Sequence, residues 1–259
     1  MSSAGLPRVR ANLVLLDEVD STNLLAGRLL RRWQDASDAP FPETFLVVRS
    51  QRAGRGRGAN VWQSPPGGVY ATWITWLPVA SLPWVPLAVS AALALALEEL
   101  SPGLDVGLKW PNDLLLEGRK LAGILCQSRV VDGRVWVAAG FGINVERTPR
   151  VQSPSQVSAT SLKDAGLVIS AGRALELLLP SFLRHVTAAL ELPEAARSRW
   201  VERSVHRDGD TLRVGLSEGE LVGRFRGFSA HGQLLLEVDG VVRAVAAAEF
   251  IAPLEPSGG

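Results

Sequence analysis

Apolar and polar positions along this chain form short blocks whose period switches between two and about 3.6 residues, the repeats of strands and helices. Leu13-Val14-Leu15-Leu16 has strand length, and the polar Asp20-Ser21-Thr22-Asn23 precedes Leu24, Leu25, Leu29, Leu30 and Trp33 at helical spacing. Short hydroxyl, amide and carboxylate side chains accept from the orphan N–H groups of a helix start, so Ser21, Thr22 and Asn23 are expected to cap that helix. Pro40 and Pro42 break the chain, Phe45 to Val48 is a second strand, and Val69 to Trp76 a third. The run from Val85 to Leu100 predicts a buried helix stopped by Pro102-Gly103. Its most apolar part, Val85 to Leu97, ends at Glu98 and Glu99, short of the roughly 20 residues that a membrane span needs.

Val106 to Trp110 is a further strand. Leu114-Leu115-Leu116 and Leu121 to Leu125 form a hairpin around Glu117-Gly118, and Val135 to Val145 extends the sheet. Gln152 to Ser161 is a polar loop, and Leu175 to Leu192 is helical in pattern, with Pro180 expected to kink or split it. From Ser204 the texture changes to short strands, Thr211 to Val214, Leu221 to Phe228, Leu234 to Val238 and Val241 to Ala246, with Asp239-Gly240 as a hairpin turn. The expected fold is α/β (α+β), with a mixed β-sheet covered by helices over residues 1–203. A small C-terminal SH3-like β-barrel follows over residues 204–259.

Composition narrows the partners. With 27 basic and 26 acidic residues the net charge is +1, so no whole-molecule field attracts nucleic acid or membrane, and any anion site must be local. Cys126 is the only cysteine, which excludes an intrachain disulfide and fits a reducing cytoplasm. Met1 to Gly5 lacks the pattern of a signal peptide. His185, His206 and His231 share no metal-ligand spacing and are expected at the surface.

The chemistry concentrates in a few segments. Gln51 to Trp62 alternates glycine with Arg52, Arg55 and Arg57, which lets backbone approach a ligand closely while guanidinium forks grip it. Each charge-assisted hydrogen bond from such a group is worth roughly 1.5–3 kcal/mol, so a few could hold an acyl phosphate. Glycine and arginine also mark linkers and RNA-binding tails, but this segment is short, single and flanked by strands. It is neither a Walker A loop nor a Rossmann fingerprint. Lys109-Trp110-Pro111-Asn112-Asp113 sets an ammonium, an amide and a carboxylate at a strand end, suited to nucleotide and magnesium or equally to a plain Asn-Asp turn. In Arg119-Lys120-Leu121-Ala122-Gly123, Lys120 leads an apolar strand whose Gly123 permits close approach by a ligand; a solvated hairpin lysine is the alternative.

Taken in order with Gly140-Phe141-Gly142-Ile143-Asn144, Ala159-Thr160-Ser161-Leu162 and Gly232 to Leu236, these segments resemble the biotin protein ligases over nearly the whole chain. The resemblance implies that biotin and ATP form biotinyl-5′-adenylate and pyrophosphate. The adenylate then acylates one lysine of a carboxylase's biotin carboxyl carrier domain, with Mg2+ as cofactor. It further implies catalytic roles for Lys120, Arg55 and Arg57, and contacts to biotin from Ser21, Thr22, Asn23, Gln51, Gly54, Arg55, Gly56, Arg57, Lys120 and Gly123. Arg57, Trp62, Asn112 and Asn144 fall to ATP, and Asp113 to the metal. Partners are then the carrier domain, with neither DNA nor membrane, in a monomer or homodimer. Only 20 residues precede Ser21, too few for the winged-helix DNA-binding domain of some relatives, and Gly58-Ala59-Asn60 stands where many relatives carry further arginines. The glycines of the loop make ordering costly, so it is expected to be disordered until ligand binds. The rival readings are a lipoate or octanoate ligase or transferase of similar fold, and a non-catalytic nucleic-acid binder using the Gly/Arg loop.

Overall fold

The computed structural model describes residues 11–37, 39–58, 60–150, 157–248 and 250–253. β1 (Asn12–Val19), β2 (Thr44–Gln51), β3 (Gly68–Pro78), β4 (Val106–Lys109), β5 (Asp113–Leu116), β6 (Arg119–Val131) and β7 (Arg134–Asn144) form one sheet in the order β1-β2-β3-β7-β6-β5-β4. The β1–β2 pair is parallel and the other pairs are antiparallel, so the sheet is mixed as the sequence predicts. Its central strands read as continuous apolar runs because both faces are covered. Phe45, Val47, Ala71, Trp73, Ala139 and Phe141 meet α2 (Val85–Leu100) and α3 (Ala171–Glu191), whereas Leu46, Ile74 and Ala138 meet α1 (Thr22–Ala36). Phe182 of α3 sits among Phe45, Trp73 and Phe141, at ring-centroid distances of 6.0, 5.8 and 5.3 Å.

Three helical details depart from expectation. α3 runs unbroken through Pro180; both Pro180 and Glu176, whose carbonyl loses its intrahelical partner, are exposed, so water can satisfy that carbonyl. A further helix, α4 (Pro193–Glu202), follows after a single intervening residue. The apolar run around α2 starts upstream in a 3-10 turn, and Val79–Leu100 as a whole is long and apolar enough to cross a membrane. Its helical part, however, is buried in the core from Val85 to Leu97, apart from Pro86 and Leu95.

β8 (Thr211–Leu216), β9 (Gly219–Phe228), β10 (Leu234–Val238), β11 (Val241–Val245) and β12 (Phe250–Pro253) form a second, antiparallel sheet in the order β11-β10-β9-β8-β12. Asp239 and Gly240 both have positive φ, 52° and 77°, as a tight turn between β10 and β11 requires. β12, four residues long and containing Pro253, carries no signal in the sequence. This sheet shares one apolar core with the first, through Leu212, Val214, Phe225, Phe228, Leu234 and Leu236. Trp200 of α4 stands edge-on to Phe228 at 4.5 Å, and the Trp110 indole donates to the Gly232 carbonyl at 3.0 Å.

His206 lies in this junction and is only 7% exposed, against the surface position expected for it. Its ring rests 5.6 Å from that of Phe225, and burial, reinforced by the nearby Lys109 charge, pushes its pKa down to about 4. His185 pairs with Glu99 at 2.8 Å, and His231 is exposed.

The packing around Phe182 and His206 can be probed by unfolding. Phe182→Ala should lower stability by about 3–5 kcal/mol in urea, and Phe182→Leu by clearly less, because the cavity left by the ring cannot close between sheet and helix. For His206 the unfolded chain binds a proton near pH 6.5 and the folded chain only near 4, so stability is complete above pH 6.5 and falls as pH drops toward 4. The loss should reach about 3 kcal/mol, because each tenfold difference in proton affinity between the two states is worth about 1.4 kcal/mol. It should be largely absent in His206→Phe when unfolding is followed against pH.

Candidate active site

The α1 face of the sheet is only partly covered by that helix. Near the helix's N-terminus, Gly123 on β6 and Gly140 and Gly142 on β7 border a cavity of about 790 Å³. Those glycines are dictated by approach distance. A Cβ at Gly140 would fall 2.2 Å from the Asn23 amide oxygen, one at Gly142 2.3 Å from Trp62 Nε1, and one at Gly123 2.9 Å from the Trp62 ring.

Polar groups from α1 line part of this cavity. Ser21 is the N-cap residue but its side chain makes no capping bond. Gln51, from the end of β2, does that work from a distance. Its Oε1 accepts from Thr22 N at 2.8 Å and Thr22 Oγ1 at 3.2 Å, while its Nε2 donates to Ser64 Oγ at 2.8 Å. Asn23 faces the cavity, but its amide is already engaged, accepting from Thr72 Oγ1 at 2.7 Å and donating to the Leu125 carbonyl at 2.9 Å. It therefore positions the helix against the sheet.

The Gly/Arg segment forms the roof. Its described residues form a tight hairpin, tied by Gly56 N to Asn60 O at 2.8 Å, Asn60 N to Arg57 O at 3.0 Å and Trp62 N to Gly54 O at 2.9 Å. Gly58 turns it with φ 57°. Gly54 is not part of the cavity wall: a Cβ there would lie 2.3 Å from the Trp62 carbonyl and 2.6 Å from Ser64 Oγ, so the glycine lets the hairpin strands pack. Trp62 lies half-buried against Gly123 and Gly142, its Nε1–H without a partner among the described residues, and Lys120 Nζ stands 5.3 Å from its ring centroid.

Charge gathers around Asp113. Lys120 Nζ pairs with Asp113 Oδ1 at 2.7 Å. Lys109, directly opposite Asp113 in the β4–β5 pair, lines the same cavity, as do Arg55, Arg57, Arg150 and Arg213, and Asp113 is the only carboxylate among the described lining residues. Burial lowers the pKa of both Lys109 and Arg57, and Asp113 opposes that fall in each. One carboxylate cannot balance these cations, so the cavity is built for anions. Among the described residues no group of three or more His, Cys, Asp or Glu could hold a metal ion, so a divalent cation here would need ligand phosphates beside Asp113.

The structure thus brings together Ser21, Thr22, Asn23, Gln51, Arg55, Gly56, Arg57, Trp62, Asn112, Asp113, Lys120 and Gly123. Asn112 lines the cavity while its Nδ2 donates to the Ile124 carbonyl at 2.9 Å. Asn144 is not there: it is buried, and its amide ties the Thr160 carbonyl at 2.9 Å and the Lys120 carbonyl at 3.4 Å, which is a structural use of the residue. Lys109, the ammonium of the strand-end motif, lines the cavity as well. Arg150, Arg213 and Phe250 are lining residues that sequence reasoning did not select, and they carry no local signal.

Comparison with known proteins agrees with this geometry. The Biotin/lipoate A/B protein ligase family matches residues 19–144. The Biotin--[acetyl-CoA-carboxylase] ligase of Mycobacterium tuberculosis is 31% identical over 91% of this chain and 88% of its own length, and that of Paracoccus denitrificans is 31% identical over 91% and 98%. The Aquifex aeolicus biotin protein ligase in complex with biotin and ATP superimposes with a TM-score of 0.72 at 25% identity, covering 94% of this chain and 99% of that one. With a mixed sheet, a glycine-bordered cavity and relatives of this identity along nearly their whole length, the chain belongs to the biotin protein ligases of the biotin/lipoate A/B protein ligase family.

Proposed function

We propose that this protein is a cytoplasmic ATP-dependent biotin ligase that forms biotinyl-5′-adenylate and transfers the biotinyl group to one lysine of a biotin carboxyl carrier domain. The observation that carries the reading is the cavity itself, lined both by the uncharged Thr22 and Gln51 and by a set of cations with one carboxylate among them. Biotin calls for both kinds of partner, with a neutral ureido ring at one end and a carboxylate at the other.

In the first step a carboxylate oxygen of biotin attacks the α-phosphorus of ATP, a P–O–C(acyl) bond forms, and the bond to pyrophosphate breaks. Carboxylate and phosphate repel each other, so the step depends on cations aimed at both, a task that suits Lys120 and Arg55 near the new bond and Arg57 along the nucleotide. Ser21 and Thr22 face the ureido ring, with Gln51 holding Thr22 in place. Trp62 and Asn112 border the nucleotide. Magnesium, when bound with ATP, would be held by Asp113 and phosphate oxygens and would supply further charge neutralisation. In the second step the acceptor amine attacks the acyl carbon, the bond from that carbon to the phosphate oxygen breaks, and AMP leaves. The acceptor lysine, with an ordinary pKa of about 10.4, must shed a proton to do so.

The test is exchange of labelled pyrophosphate into ATP. Biotin should support it and lipoate should not; exchange with lipoate alone would overturn the reading. Lys120→Ala should reduce biotin-dependent exchange by about 10²–10³-fold with the unfolding midpoint nearly unchanged. Exchange at the wild-type rate in that variant would remove Lys120 from the mechanism.

A further inference from the structure

One row of the first sheet, on the face that α1 covers, runs from Thr72 on β3 through Gly140 on β7 to Leu125 on β6, each opposite the next in register. Leu46, Ile74 and Ala138 beside it on that face are apolar, and Thr72 is fully buried among them. A hydroxyl in such a place needs a hydrogen-bond partner. That partner is Asn23, 3% exposed, whose amide lies across the row: Thr72 Oγ1 donates to Asn23 Oδ1 at 2.7 Å, and Asn23 Nδ2 donates to the Leu125 carbonyl at 2.9 Å. Gly140 leaves room for the amide, since a Cβ there would fall 2.2 Å from Asn23 Oδ1. Chemistry allows only one arrangement. The Leu125 carbonyl can only accept, so the amide nitrogen must face it; the amide oxygen then faces Thr72, whose hydroxyl must donate.

Asn23 directly follows Ser21 and Thr22, the residues that the start of α1 presents to the cavity. Ala26 and Leu30 pack the later turns of the helix on the sheet, and the Asn23 amide fixes the first. Thr22 itself is tied to Gln51 at the end of β2. From this we infer that Thr72, which does not itself line the cavity, is a positioning residue for biotin: by holding the Asn23 amide in one orientation it keeps Ser21 and Thr22 where they meet the ureido ring. The inference rests on the ligase function proposed for the cavity. Arg57 and Lys120 take no part in this chain of bonds, so the effect of Thr72 falls on biotin and not on ATP.

The experiment compares the wild-type chain with Thr72→Val, Thr72→Ala and Thr72→Ser in biotin-dependent pyrophosphate exchange, with biotin and ATP varied in turn. Valine and alanine leave the Asn23 oxygen buried without a donor, whereas serine keeps the hydroxyl. The KM for biotin should rise about tenfold or more in Thr72→Val and Thr72→Ala and stay within about twofold of wild type in Thr72→Ser, as expected for one unsatisfied buried acceptor. The rate at saturating biotin and the KM for ATP should hold in all three. Alanine and serine differ only in the hydroxyl, so that pair decides the matter even if Thr72→Val does not fold. An unaltered KM for biotin in Thr72→Ala would overturn the proposal, and so would equal rises in Thr72→Ala and Thr72→Ser, which would mark Thr72 as a packing residue. Wild-type protein that supports no exchange with biotin would instead sink the ligase reading itself.

Discussion

The rest of the site depends on an excess of positive charge that the protein does not balance. Lys120 has Asp113 at 2.7 Å, but Lys109, Arg55, Arg57, Arg150 and Arg213 face the same space with no second carboxylate among the described lining residues. Burial strips hydration from Lys109 and Arg57 and lowers the pKa of both, and in Lys109 the Lys120 charge adds to the fall. The arrangement is tolerable because the cavity opens to water and because anionic ligands reverse the balance. Stability is thus exchanged locally for affinity, and the helices and sheets elsewhere supply the rigidity that keeps the cations from separating.

That rigidity comes from the two unlike faces of the first sheet. On one face α2 and α3 bury large side chains around Phe182, which fixes the strands. On the other, α1 covers part, and glycine at positions 123, 140 and 142 lets Asn23 and the Trp62 ring lie close to the strands beside the cavity. Asn23 and Gln51 join these parts, one tying α1 to β3 and β6, the other linking α1 to the segment leading into the roof hairpin. A ligand bound in the cavity would meet fixed amides and fixed cations.

Much of this is legible in the amino-acid sequence. The strands around the cavity announce themselves as apolar runs, Gly54, Gly56 and Gly123 mark places of close approach, and the order of motifs names the family. The features that escape such reading are choices made by distant residues. Whether a polar side chain faces ligand or protein depends on its three-dimensional neighbours, so Asn144 looks like a nucleotide contact in sequence yet serves the Thr160 carbonyl. Gly54 looks like a ligand glycine yet yields room to Trp62 and Ser64. Pro180 should break a helix, but its exposed side of α3 lets water replace the missing bond. Phe250 is brought to the cavity by β12, a four-residue strand that carries no signal, and Arg213 by its partner β8, where nothing local marks it for a site.

The claim that unbalanced positive charge is the working principle of the cavity can be measured directly by calorimetric titration with biotin and with its neutral carboxamide. Both should enter the cavity, and biotin should bind at least about tenfold more tightly, as one charge-assisted contact requires. Equal affinities would contradict the account, since the cations would then contribute nothing to holding the carboxylate.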